Sequence, residues 1–151
     1  MYQNEVYGDF LVTLFYGELT LEDLKNFSND VENLTHSHDK IFLIALPINV
    51  TKFPTNISEL LKSVSMLKGT TNSVTRFYGI QMNSVMSFLT KILTQMLGLK
   101  TNTVEAKTLD ELFPMIEKDA GNFPELQESI HHLAQIRADI DAFSEKTQAS
   151  K

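Results

Sequence analysis

The chain contains no cysteine among its 151 residues. That absence excludes thiol catalysis, thiolate metal sites and disulfides together, and a small domain without disulfides fits a cytoplasmic setting. Basic clusters are also missing. The 13 Lys and Arg occur singly, and with 19 Asp and Glu they leave a net charge of -6. Phosphate backbones and anionic lipid surfaces recruit a concentrated basic face, so neither nucleic acid nor an anionic membrane is an expected partner. No apolar stretch approaches the ~18 residues of a spanning helix. The opening MYQNEVYGDF has no basic start and no long apolar core, so no signal peptide is expected. The N-glycosylation patterns at Asn33, Asn49 and Asn56 are accordingly read as chance. Gly79, Gly98 and Gly121 stand alone, and neither G-x-S-x-G nor a phosphate loop occurs.

What is present is an alternation of short β-type and helical patterns. EVYGDFLVTLFY (5–16) is rich in β-formers. Phe10, Val12 and Leu14 repeat at period two, and Gly8-Asp9 marks a hairpin turn. Gly17 ends this segment. Thr20 then caps a helix, with Asp23 completing a loose capping box, and Leu21, Leu24, Phe27, Val31 and Leu34 form its apolar stripe. IFLIALPI (41–48) is a continuous apolar run, as expected of a strand buried on both faces, and Pro47 predicts its end or a bulge. A helix from Ile57 to Leu67, a strand over 73–81, a helix from Val85 to Leu97, a short strand over 101–106 and a helix capped by Thr108 follow. Pro114 falls inside that helix. A last helix over 124–145 carries a seam of Leu126, Ile130, Leu133, Ile136, Ile140 and Phe143. Alternating strands and helices predict an α/β fold with right-handed parallel crossovers.

From about Glu5 to Ile116 this pattern resembles STAS-type domains, named for sulfate transporters and anti-sigma factor antagonists. EVYGDFLVTLFYGELT is similar to that family's opening, and IFLIALPINVT to the buried strand that leads to its key loop. VTRFYGIQMNSVMSFLTKILTQMLGLK and TVEAKTLDEL are similar to the strand–helix and strand–capped-helix units that follow. The resemblance implies a mixed sheet covered by helices over 1–119, with 120–151 as an added C-terminal helical extension. It also implies a non-catalytic regulatory module without cofactors, working in bacterial signalling by partner switching. The implied partner is a protein, of the kinase or anti-sigma-like regulator kind. In anti-sigma antagonists an Asp-Ser-Ser-like loop accepts a phosphate whose charge breaks a complex. The matching positions here are Thr55, Asn56 and Ser58, without the aspartate and without the serine pair. Thr55 or Ser58 remains a candidate phosphoacceptor beside a helix N-terminus; the plainer reading is an N-cap.

Other chemistry is sparse. His36 and His38 flank a helix end, and His131 and His132 are helical neighbours expected on different faces, so a metal set is not expected. Glu18, Glu22, Asp23, Asp110 and Glu111 gather at helix starts, where the dipole accounts for them. Some SpoIIAA-like domains resemble lipid-binding modules. Met66, Met82, Met86, Met96 and Met115 are the candidates for such a pocket, or else ordinary core. The seam of the last helix offers either docking on its own domain or a short coiled coil with a second copy.

Overall fold

Gly8, at φ +60°, and Asp9 reverse the chain between two antiparallel strands, β1 (Tyr2–Tyr7) and β2 (Phe10–Glu18). The computed structural model describes residues 1–54, 74–80 and 103–149. Beyond the hairpin come α1 (Leu21–Thr35), β3 (Ile41–Lys52), β4 (Val74–Ile80), β5 (Thr103–Ala106), α2 (Leu109–Asp119), α3 (Pro124–Ser129) and α4 (Leu133–Ala149). The fold is α/β. Among the described residues, five strands form one mixed sheet in the order β1-β2-β3-β4-β5, with β1 antiparallel to β2 and every other pair parallel. The expected helices over 57–67 and 85–97 lie outside the described residues.

β2 and β3 are buried on both sides, and their alternate side chains divide between two cores. Leu11, Phe15, Leu43 and Ala45 face α1, which contributes Leu24, Phe27 and Val31. The start of α1 is fixed by the expected capping box. The Asp23 N–H donates to Thr20 Oγ1 at 3.1 Å, and the Thr20 N–H donates to Asp23 Oδ2 at 2.9 Å. Burial opposes ionisation of Asp23, but the Thr20 donors and the chain's ammonium group outweigh it and hold the carboxyl below its ordinary range.

The opposite side chains, among them Phe10, Val12, Phe42, Ile44, Tyr78 and Ile80, are covered by α2, α3 and α4. The core does not divide at residue 119. Leu126, Leu133, Ile136 and Ile140 are buried in the same cluster as Leu112 and Ile116, with Ile130 and Phe143 packed at its margin. The seam expected to serve docking or association is therefore taken up by the protein's own sheet. Pro114 is accommodated in α2. The carbonyl it leaves without a helical partner belongs to Asp110, whose side chain is largely in water.

A further expectation is corrected. The last helix is not continuous: a 3₁₀ turn, Ile130–His132, separates α3 from α4. The break seats Ser129 and His132 against the hairpin turn, where Ser129 Oγ accepts from the Asp9 N–H at 3.2 Å. A Cβ at Gly8 would stand 2.8 Å from that hydroxyl, so close approach and positive φ both require glycine there. Of the two outcomes expected at Pro47, the bulge is found: the register with β2 shifts between the pairs Phe15–Pro47 and Gly17–Val50, and β3 does not stop there. It continues to Lys52 beside β2, and the register shifts fall around Gly17. Proline removes one ladder donor, and the irregular pairing absorbs the loss.

Candidate functional site

In parallel α/β sheets, ligands and partners meet the chain outside the carboxyl ends of the strands. Here that edge is formed by the ends of β3 and β4 and by the turn from β5 into α2. Asn49 sits at its centre with φ 54°, a left-handed backbone that asparagine tolerates better than most residues. Its amide donates to Thr147 Oγ1 at 2.8 Å and to the Ser144 carbonyl at 3.5 Å. The last turns of α4 are thereby tied to β3.

Grooves open on both sides of this tie. One, about 420 Å³, runs from Pro47 and Ile48 past Ile80 to Lys107, Thr108 and Arg137. The other, about 390 Å³, is bounded by Tyr16, Gly17, Thr51, Phe143 and Lys146. Tyr16 and Phe143 meet edge to face there, with ring centroids 5.1 Å apart. A crevice of about 20 Å³ between β1 and α4 has room for one water at most.

The charged groups of the first groove largely satisfy one another. Arg137 bonds Asp110 at 2.9 Å and Asp141 at 3.2 Å, and its guanidinium lies 5.7 Å from the Phe113 ring centroid. Burial opposes the Arg137 charge, but the two carboxylates more than offset that and raise its pKa. Thr108 Oγ1 accepts from the Glu111 N–H at 3.2 Å, and the Lys107 N–H donates to Glu111 Oε2 at 3.1 Å. The groove thus presents an apolar floor with neutralised charges at its rim. Among the described residues no three His, Asp or Glu side chains gather as a metal set.

The structure brings some expected residues together and separates others. Thr55, Asn56 and Ser58 lie outside the described residues; β3 carries the chain to Phe53, which packs on the α1 core just before them. Met115 does not line an interior space: it is 37% exposed on α2. Met66, Met82, Met86 and Met96 lie outside the described residues. His131 and His132, expected on different faces, have ring centroids 4.0 Å apart. His132 also approaches the Tyr7 ring at 6.4 Å.

A polar cluster that the sequence reading missed lies at the other end of β4. Asp119 Oδ2 accepts from Arg76 Nη2 at 2.8 Å, from Arg76 Nε at 3.2 Å and from the Tyr78 hydroxyl at 3.0 Å. The Arg76 guanidinium also covers the Phe123 ring at 5.2 Å. Burial and the adjacent Asp119 charge raise the Tyr78 pKa strongly. Arg76 and Tyr78 are two apart on a strand and so share one face. An arginine on the inward face of a strand was the available signal, since such a charge requires a partner. The cluster anchors the end of α2 to the sheet.

No helix among the described residues is long and apolar enough to cross a membrane. Comparison with family models, curated proteins and solved structures gives no match to this chain.

Proposed function

We propose that this chain is a non-catalytic interaction module of STAS type, which docks a protein partner at the carboxyl edge of its sheet. The observation that carries the reading is the route of β3. This buried central strand runs past Asn49 and a groove of about 420 Å³ and delivers the chain to Phe53 and Pro54, immediately ahead of Thr55, Asn56 and Ser58. The sequential strand order, with only β1 antiparallel, suits the same reading. Positions 55–58 and the following stretch to Leu67 supply the contact surface, and a phosphate on Thr55 or Ser58 weakens the complex by adding charge to an interface built on close contact. The setting is cytoplasmic, and the partner is a regulator of the kinase or anti-sigma kind.

The test is affinity capture from the native cell extract with the tagged wild-type chain, Thr55→Glu and Ser58→Asp, read by quantitative mass spectrometry. One protein enriched by wild type and reduced at least about tenfold by either variant, equivalent to ~1.4 kcal/mol, is the expected result. Equal enrichment by all three baits removes the switch. A small apolar molecule that co-purifies in native mass spectrometry and raises the melting temperature on addition would replace docking with ligand binding.

A further inference from the structure

The outer edge of β1 carries a self-complementary pattern. The Tyr16 N–H donates to the Met1 carbonyl at 2.9 Å, which makes Met1 and Tyr16 a hydrogen-bonded pair. Antiparallel ladders alternate, so Gln3, Glu5 and Tyr7 also bond inward to β2. The N–H and C=O groups of Tyr2, Asn4 and Val6 then point away from the sheet, at its terminal strand among the described residues.

Exposed edges are usually blunted by charged side chains, lysine above all, by proline, a bulge or shortness. β1 has a single charged residue, Glu5, and no lysine, proline or bulge. Its six residues, YQNEVY, pair with β2 without a register shift. The opposite edge strand, β5, has four residues and is followed at once by Lys107. Val6 is 45% exposed, one of three large apolar side chains so placed among the described residues. It shares a face with Tyr2 and Asn4, both of which donate to Asp30 of α1.

We infer that β1 pairs antiparallel with β1 of a second copy, about a twofold axis through Asn4, to form one continuous sheet. This register uses the outward groups of Tyr2, Asn4 and Val6 in both copies. It sets Tyr2 opposite the second copy's Val6, twice, an aromatic on a β-branched residue. It also sets Gln3 opposite Glu5, so the one ionised side chain of the strand meets a neutral amide. The neighbouring registers are worse. A shift of one hydrogen-bonding step toward the hairpin places Glu5 opposite Glu5, and the opposite shift leaves Val6 without a cross-strand partner. Each copy carries a net charge of -6, so association strengthens as salt screens the repulsion.

The absence of cysteine makes the test clean. Hydrogen-bonded antiparallel neighbours have Cα atoms ~5.5 Å apart, within reach of a disulfide. Two Val6 residues in this register lie roughly 13 Å apart along the strands, beyond reach. The experiment compares wild type, Val6→Lys, Asn4→Cys and Val6→Cys by multi-angle light scattering at low and high salt, and by non-reducing gel after mild oxidation. Circular dichroism verifies each fold. Asn4 also bonds Thr13 and Asp30, so the double variant Gln3→Cys/Glu5→Cys, at exposed positions, reports the same register if Asn4→Cys does not fold. The expected result is a wild-type dimer, a folded Val6→Lys monomer, and cross-linking of Asn4→Cys or the double variant but not of Val6→Cys. A wild-type monomer at the highest soluble concentration, a dimer that survives Val6→Lys, or preferential cross-linking of Val6→Cys overturns the proposal.

Discussion

α1 meets its side of the sheet through apolar and aromatic contact. Phe27 stacks edge to face on Phe15 at 5.3 Å and on Tyr2 at 6.2 Å, and the polar ties to Asp30 lie at the rim. Ser28 Oγ is buried on this helix without a hydrogen-bond partner among the described residues. The opposite side also has an apolar interior, but directional contacts hold it at several separate places. Asp119 takes Arg76 and Tyr78, Asp139 accepts from the Tyr7 hydroxyl at 2.5 Å, and Asn49 takes Thr147. α1 is placed by the connections to the neighbouring strands β2 and β3, so little besides packing is required to orient it. The C-terminal segment leaves β5 at one edge and must cross to Tyr7 on β1 at the other. Hydrophobic burial is non-directional; the polar ties select one path across the sheet.

The strongest way to break this comparison is to remove the crossing segment. Ending the chain after Asn122 deletes Leu126, Leu133, Ile136 and Ile140 from a shared core. Loss of the cooperative melting transition in circular dichroism is the expected outcome. Point changes give matched magnitudes for the two sides: Phe27→Ala and Ile136→Ala should each cost roughly 2–5 kcal/mol in urea denaturation, since both side chains are fully buried. A folded, monomeric truncation with an unchanged melting temperature would show the segment to be a dispensable cover.

Asp119→Ala comes next. It strands Arg76 and the Tyr78 hydroxyl, and should cost roughly 2–3 kcal/mol, below the full cost of a buried pair because both charged side chains keep some solvent contact. The double change with Arg76→Met should recover part of that loss, and a double-mutant cycle measures the coupling. No comparable rescue exists on the α1 side, where the described polar ties are at the rim.

Asn49 sharpens the comparison further. Asn49→Gly keeps the left-handed backbone and loses the amide bonds to α4, whereas Asn49→Ala loses both. A stability cost of about 1 kcal/mol for glycine and about 2 kcal/mol for alanine is expected from denaturant midpoints. Hydrogen exchange near Ser144 should accelerate in both variants.

The smallest effect is electrostatic. Burial first, then Asp119, holds the Tyr78 proton more tightly in the folded state than the ordinary value of 10.0. The folded pKa is raised, so this contribution is complete below pH 10.0 and is lost as pH climbs toward the folded value. Asp23 behaves in the opposite sense. Its folded pKa is depressed, so its contribution is present above 3.8 and lost as pH falls through the folded value. Tyr78→Phe should reduce the alkaline fall in stability, to which Tyr2 and Tyr7 also contribute through their own raised pKa values, while leaving the acid fall intact; Asp23→Asn should reduce the acid fall instead, both read from melting temperature against pH.

Much of the fold was legible along the chain. Period-two and buried runs located β2 and β3, Gly8-Asp9 located the hairpin, and Thr20 and Thr108 located helix starts that the structure retains. These signals act over a few residues, the range at which backbone geometry and capping operate. The candidate edge was legible only in part. The end of IFLIALPINVT was marked as the approach to a loop and Pro47 as the place for an end or a bulge, but the strand's continuation to Lys52 and the left-handed Asn49 depend on its pairing with β2. Periodicity identified the seam of Leu126, Leu133 and Ile140 as a surface that must leave water; it carries no information about which surface receives it.

By itself, then, the sequence determined which side chains are apolar, how they repeat, and where helices can begin. Only the tertiary structure decided that the C-terminal seam lies on the protein's own sheet and that Arg76 finds Asp119 across 43 positions of chain. It likewise decided that Asn49 finds Thr147 across 98. The physical reason is range. Local propensities are set by neighbours within a turn or two, whereas a buried charge or amide is satisfied by whatever group the folded path brings within hydrogen-bond distance.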